Sequence, residues 1–411
     1  VRDSAALRQG IFWALVLIYP VVLTFLGFSP KYGFLTLPRF GWHFTDRSLT
    51  EIKELNPPRR NEDGYDGQYY IQMAIDPTLK NPEFALAIDN MGYRAQRIGV
   101  SALAYALGLG HAPWIAQIYC LLNLVFWLLL CWLTVTEIGC QTREQRLVII
   151  AIVLSAGCLV SLMRALTDLP ALALGFLALY CTKLQSPQLK YKVIGLAAAA
   201  YSALCKETGM LSFFGLIKWP LKNSWWSNVL TVLVIMSPVL AWKFYVQSNF
   251  GSGNGVAINM TWPLFGFVHK WLETFSNAWN QFPSIHVVEF FGPLSIATQV
   301  VFLIRYWNLA SPLWRFGIGF AVLSLVLGDV VWQTQSAYSR ALLPMMLSFN
   351  LLLSQLAPAI KRRTWWSWFW LGNIGLLDRA MPILLVWLVL EWLLPAVTHK
   401  NDLPAKDFAA R

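Results

Sequence analysis

Asp66 lies in the run Asp63-Gly64-Tyr65-Asp66-Gly67-Gln68-Tyr69-Tyr70, between glycines that let backbone come close to a bound molecule. A carboxylate there can act as a general base towards an acceptor hydroxyl, or can simply be a solvated loop acid. Asp63, Asp76 and Asp89 are weaker candidates, and Asp76-Pro77 reads as the start of a turn. Arg94 and Arg97 follow in Tyr93-Arg94-Ala95-Gln96-Arg97. Three residues apart, they share one helix face and can grip a phosphate or anchor to lipid headgroups. In Arg164-Ala165-Leu166-Thr167-Asp168-Leu169-Pro170 an arginine and an aspartate interrupt apolar sequence, which is costly unless they are paired or functional. Capping of the next helix by Thr167 or Asp168 accounts for the acid but leaves Arg164 unexplained. Lys206-Glu207 is a second polar break. It reads as a structural ion pair, or as a buried lysine for an anionic ligand steadied by Glu207. Tyr338-Ser339-Arg340 offers a further phosphate contact at a helix start, with membrane anchoring as its alternative.

The elements that must position these residues are membrane helices. Hydrophobic residues make up 57% of the 411 and charged residues 13%, with a mean hydropathy of +0.51. A soluble domain carries about 25% charged residues. Long, continuous apolar runs also exclude a transmembrane β-barrel. The net charge of +11 falls in short clusters between those runs: Arg143/Arg146, Lys183/Lys190/Lys192, Lys218/Lys222, Arg305/Arg315 and Lys361–Arg363. That is the distribution of cytoplasmic loops, not of a nucleic-acid-binding surface. The six cysteines lie in or beside apolar helices without a CxxC pair, so neither a disulfide framework nor a zinc site is expected. Walker A, GxGxxG, HExxH and serine-elbow patterns are absent, and no cofactor is indicated.

A span needs about 20 apolar residues. Runs at 11–29, 114–136, 146–163, 168–182, 225–246, 286–304, 316–333, 340–357 and 376–397 qualify, and 193–218 reads as a helix broken at Lys206-Glu207 or a tight hairpin. The first run lacks a small-residue cleavage site and reads as an uncleaved span. Residues 98–110 are too few to cross and are placed at the interface. The expected fold is thus all-α and polytopic, with about eleven spans (ten to twelve) and a large first external loop, 30–97, carrying short juxtamembrane helices. Nine of the 21 acidic residues fall between Pro30 and Arg97. Three parts are expected: a catalytic module at 1–247, a second external loop at 248–285 with an amphipathic interfacial segment, and a C-terminal module at 286–411. Gly251-Ser252-Gly253-Asn254-Gly255 opens the second loop as a flexible stretch, and the tryptophans at 364–370 read as an aromatic belt. With the basic clusters inside, Asp66, Arg94, Arg164, Asp168, Lys206, Glu207, the 248–285 loop, Tyr338 and Arg340 all reach the external side.

The motif order resembles bacterial membrane proteins of cell-surface glycopolymer formation, of the GT-C class of polytopic glycosyltransferases. The resemblance rests on Tyr65–Tyr70, then Asp76-Pro77, then Tyr93-Arg94 with Arg97. Ser161–Ala171 and Leu204–Gly209 follow, so it covers roughly residues 1–220. The Asp66 element is also similar to the Trp-Asp element of glycolipid-anchor mannosyltransferases, with Tyr65 in place of Trp. The resemblance implies a polyprenyl-phosphate sugar donor, a glycan or lipid-linked acceptor, and inverting transfer at the external face of a bacterial inner membrane. Asp66 would be the base. Arg94, Arg97, Lys206 and Arg340, with Tyr69 and Tyr338, would bind the lipid phosphate. Arg164, Asp168, Glu207, Asp63 and Gln68 would support them. A phosphate leaving group needs no protonating acid, unlike the leaving groups of glycosidases. GT-C enzymes often carry two acids in this loop; here the second is Asp63, Asp89 or none, and a divalent metal stays open with it.

Two other readings use the same residues. A transporter or flippase of lipid-linked saccharides needs the cations but no base. An O-antigen ligase or polymerase carries its large external loop late in the chain, whereas this chain's longest polar loop is early. The topology is directly testable: reporter fusions after Arg146, Lys192 and Lys222 are expected to report the cytoplasm. An external signal at any of the three would overturn the placement of the polar motifs.

Overall fold

The computed structural model describes residues 2–61, 63–184, 189–221, 224–253, 255–280 and 287–390. The fold is all-α apart from one small two-stranded parallel pair, Phe40–Gly41 with Arg59–Asn61, inside the first polar loop. That loop carries short helices at Trp42–Thr45, Thr50–Leu55, Gly67–Ile75, Phe84–Ala87 and Met91–Arg94, in keeping with the expectation. Two helices, Ala112–Ile138 and Trp225–Phe250, are long and apolar enough to cross a bilayer, which makes the chain an integral membrane protein. The pairs Arg143–Val153 with Ala156–Met163 (bent by 43°) and Arg362–Leu376 with Asp378–Leu390 (bent by 96°) raise the number to four if each pair is one span. The helices Arg2–Phe25 (24 residues) and Val287–Arg305 (19 residues) carry the apolar stretches Gln9–Phe25 and Phe290–Arg305, while Pro312–Val326 and Leu343–Leu356 are apolar but shorter.

Eleven full-length spans are therefore not what the described residues form. Some apolar runs are broken by turns, and others are helical throughout but short. The 146–163 run breaks where Ser155 caps a new helix, its hydroxyl accepting from the Cys158 N–H. Asp168–Lys183 has 16 residues, about 24 Å of helix against a hydrocarbon core of about 30 Å. Leu189–Cys205 stops at Lys206, and a 3-10 turn over Glu207–Ser212 turns the chain, so the break read at Lys206-Glu207 is present. Gly99–Leu107, with nine residues, cannot cross alone. The last expected span is described only as far as residue 390.

Two expectations outside the spans change. Gly253 is packed against Gly92 and Gly255 against the Tyr93 ring, so these glycines serve close approach rather than a free hinge. Trp365 is buried and stacks on Phe369 at 5.2 Å, so part of the supposed aromatic belt is core. The amphipathic segment is a helix, Phe265–Asn280, held by Phe267 on Trp332 and by Trp271 on Phe290. Gly266, Lys270 and Thr274 point inward, while Phe265, Val268, Leu272 and Phe275 are exposed. Such a helix suits a lipid-facing position.

The interhelical contact that bears most on the charged end of the helices is at Gly157. A Cβ there would come within 2.6 Å of the Ser339 carbonyl oxygen, because Ala156–Met163 lies directly on the Gln335–Ala341 helix. That close approach sets the position of Arg340. Gly157→Ala is expected to cost about 1–3 kcal/mol by overpacking, read as a lower unfolding temperature in detergent. An unchanged transition would mean the two helices are not locked together.

Candidate functional site

The Gly67–Ile75 helix begins right after Asp66, yet the Asp66 side chain makes no capping hydrogen bond to it. Its position comes from packing around it. Gln68 accepts from the Gly41 N–H at 3.0 Å and donates to the Asp63 carbonyl at 2.7 Å. Gln72 accepts from the Leu49 N–H at 3.0 Å. Both amides are buried, and they supply loop backbone with partners that regular structure would otherwise provide. Gly67 sits so close to the Arg164 carbonyl that a Cβ would lie 2.4 Å from it, fixing the Asp66 loop on the 164–168 turn. In that turn Ala165 takes a left-handed φ of +49°, strained for alanine, and its carbonyl accepts from the Tyr119 hydroxyl at 2.9 Å.

With its side chain free of capping, Asp66 contacts Arg94 at 2.9 Å and lies 4.0 Å from Arg340. Arg94 also holds Asp89 through its Nε and a terminal nitrogen, at 3.0 and 2.9 Å. Arg340 contacts Asp168 at 3.1 Å, and Lys206 pairs with the other Asp168 oxygen. Arg97 makes a fork on Glu207 at 2.8 and 2.6 Å and donates to the Tyr70 and Tyr93 hydroxyls at 2.8 and 2.7 Å. Burial works to raise the Asp66 carboxyl, but Arg94, then Arg340 and Arg97, outweigh it and hold it below the usual carboxylate range.

These groups line one cavity of about 410 Å³. Asp66, Asp89, Arg94, Arg97, Asp168, Lys206, Glu207 and Arg340 form its charged part. Ile258, Met260, Leu323, Leu327, Val330 and Val331 form an apolar part. Residues 66, 94, 168, 206 and 340 thus meet at one cavity, together with Gly253, Gly255 and Ile258–Met260. Lys183 stands at the far end of the helix that begins with Asp168, where it pairs with Glu137.

Several expected roles are redistributed. Neither Thr167 nor Asp168 caps by its side chain; the Ser161 hydroxyl accepts from the Leu169 N–H at 3.1 Å instead, and Asp168 is given over to Lys206 and Arg340. Arg97 lines the cavity with most of its donors on Glu207, Tyr70 and Tyr93, which makes it a brace of the wall. Tyr69 is a platform, its ring 4.8 Å from the Arg94 guanidinium. Tyr338 is fully buried on Trp332 and is outside the cavity lining. Asp63 is exposed, 3.2 Å from His43, and also outside it. Asp76 closes its turn by accepting from the Thr78, Lys80 and Asn81 N–H groups. Of the open choices for a second acid, Asp89 is the one in the lining. Among the described residues no group of three or more His, Cys, Asp or Glu side chains is arranged to hold a metal ion. Sequence reasoning missed Asn259, which lines the cavity and donates to the Tyr93 hydroxyl at 3.2 Å. A lone asparagine in a polar loop carries no signal of its own.

No protein-family model and no curated protein matches this chain. Among solved structures it is similar to ArnT from Cupriavidus metallidurans in the apo state, with a TM-score of 0.46 and 13% identity. The match covers 88% of this chain and spans 62% of the length of that protein.

The Arg97–Glu207 fork gives a clear test. Arg97 is buried and Glu207 partly so; removing one partner of a fully buried pair costs about 3–5 kcal/mol and exposed pairs are worth about 0–1 kcal/mol, so the fork falls between. Glu207→Gln is therefore expected to lower the unfolding temperature well below that of His43→Asn, which removes only the exposed contact to Asp63. Equal transitions would show that the fork does not brace the cavity.

Proposed function

We propose that this chain is a GT-C-type membrane glycosyltransferase. It transfers a sugar from a polyprenyl-phosphate sugar to a glycan or lipid-linked acceptor at the external face, with inversion. The observation that supports this reading most is the two-part cavity. A headgroup phosphate matches Arg94, Lys206 and Arg340, and a hydrocarbon chain matches the apolar wall from Ile258 to Val331. A ligand with both parts is a lipid phosphate. The motif order in the first half of the chain points the same way.

In the proposed reaction the acceptor hydroxyl gives its proton to Asp66 as its oxygen bonds to the anomeric carbon. The bond from that carbon to the phosphate oxygen breaks, and the electron pair leaves with the lipid phosphate. Arg340 and Lys206 balance the charge gained by the leaving group. Attack from the face opposite the departing phosphate inverts the sugar carbon.

The ion pairs also imply an order. Paired with Arg94, Asp66 is a weak base. A donor phosphate competes for Arg94 and Arg340, and as they turn to it Asp66 regains basicity. Donor binding therefore primes the base. A depressed carboxyl stays ionised as pH falls and is protonated only when pH passes below its folded value. In the free enzyme the acid limb of kcat/KM is thus expected below the ordinary aspartate range, and Arg94→Gln should move it upward.

Asp66→Asn is expected to reduce turnover of a polyprenyl-phosphate sugar by at least about a hundredfold while the lipid still binds. Turnover unaffected by the substitution would remove Asp66 as the base. Lipid binding without turnover across acceptors would favour a transporter.

A further inference from the structure

A second group of cations lies beside the cavity and is not used by the proposed reaction. The Arg164 guanidinium stacks on the Tyr65 ring at 4.0 Å, and Arg340 lies 5.5 Å from the same ring. Arg39 belongs to the same neighbourhood, since its carbonyl accepts from the Tyr65 N–H at 2.9 Å. Arg379 comes in from the other end of the chain, one terminal nitrogen 4.0 Å from the Met163 sulfur, next to Arg164. Arg39, Arg379 and Arg340 are all near enough to repel the Arg164 charge.

Unlike the cavity cations, Arg164 and Arg379 lack matching acids. Among the described residues no carboxylate pairs with either of them. The Arg379 Nε is buried with no hydrogen-bond partner, and the neighbouring Asp378 accepts from Gln335 at 3.0 Å. Holding the Arg164 and Arg379 guanidinium groups together without a paired acid is unfavourable, and an oxyanion between them turns repulsion into attraction. Arg39, Arg164, Arg379 and Tyr65 are all absent from the cavity lining, yet Tyr65 directly precedes Asp66.

We propose that Arg164 and Arg379, with Arg39 beside them, form a second anion site that holds a phosphate group carried by the acceptor. An acceptor anchored there reaches Asp66 from outside the donor cavity, so donor and acceptor phosphates occupy separate clusters on either side of one base. The ligand's role rests on the glycosyl-transfer reading; its charge does not.

Titration of the detergent-purified full chain with inorganic pyrophosphate tests the site without turnover. Two saturable, salt-sensitive binding events are expected. Arg164→Gln with Arg379→Gln should abolish one, and Arg340→Gln the other. The paired substitutions Arg164→Lys and Arg379→Lys keep the charge and should retain the second event, which separates a charge role from misfolding. A single event, or two events surviving the double glutamine variant, would overturn the proposal.

Kinetics separate the acceptor from a lipid headgroup as the source of the anion. The preference for a phosphorylated acceptor over its dephosphorylated form, as a ratio of kcat/KM, should fall about tenfold or more in the double glutamine variant, chiefly through acceptor KM. Equal losses with both acceptors would overturn the assignment. So would an effect that appears only in phosphatidylglycerol nanodiscs and not in phosphatidylcholine ones. If no donor is turned over at all, glycosyl transfer fails while the pyrophosphate titration still decides the site.

Discussion

Charge pairing at one end of the helices is the constraint on which this structure depends. Asp66 is linked through Arg94 to Asp89 and through Arg340 to Asp168, which also holds Lys206, while Arg97 forks on Glu207. Four cations, Arg94, Arg97, Lys206 and Arg340, face four acids, Asp66, Asp89, Asp168 and Glu207. The more buried of these charges, Arg97 and Asp168, are tolerable only when matched, because a desolvated ion costs several kcal/mol without its partner. The network therefore constrains where four separate segments of the chain can lie relative to one another.

A balanced network has a chemical consequence. An incoming anion finds no surplus of positive charge among these eight groups and must compete with the resident carboxylates. The strength of a phosphate contact then depends on how readily Asp66 and Asp168 give up their cations. The same competition governs the basicity of Asp66. Arg164 and Arg379 are different in kind, because they lack paired acids among the described residues.

Close backbone packing makes the network possible. Gly157 lets the helix before Arg164 lie on the helix that carries Arg340, and Gly67 lets the Asp66 loop lie on the 164–168 turn. Buried Gln68 and Gln72 then supply the loop's backbone with hydrogen bonds. Small residues and amides, none of them chemical candidates, set the distances between the residues that are.

Residue type and order by themselves determined the membrane class, the polar breaks at Arg164–Asp168 and Lys206-Glu207, and the attraction of Asp66. Each is a local departure from an apolar background, so each is legible in one dimension. The number of full-length spans was not legible, because an apolar run does not reveal the turn that Ser155 starts within it. Nor could the sequence say that Asp168 would serve two cations, that Arg97 would be taken up by Glu207, or that Asp89 and not Asp63 would line the cavity. Those outcomes depend on which charges meet across 38 to 172 residues of separation. Only the tertiary structure decides them, because an ion pair is set by distance in space and burial, and neither is encoded in the type of either residue alone.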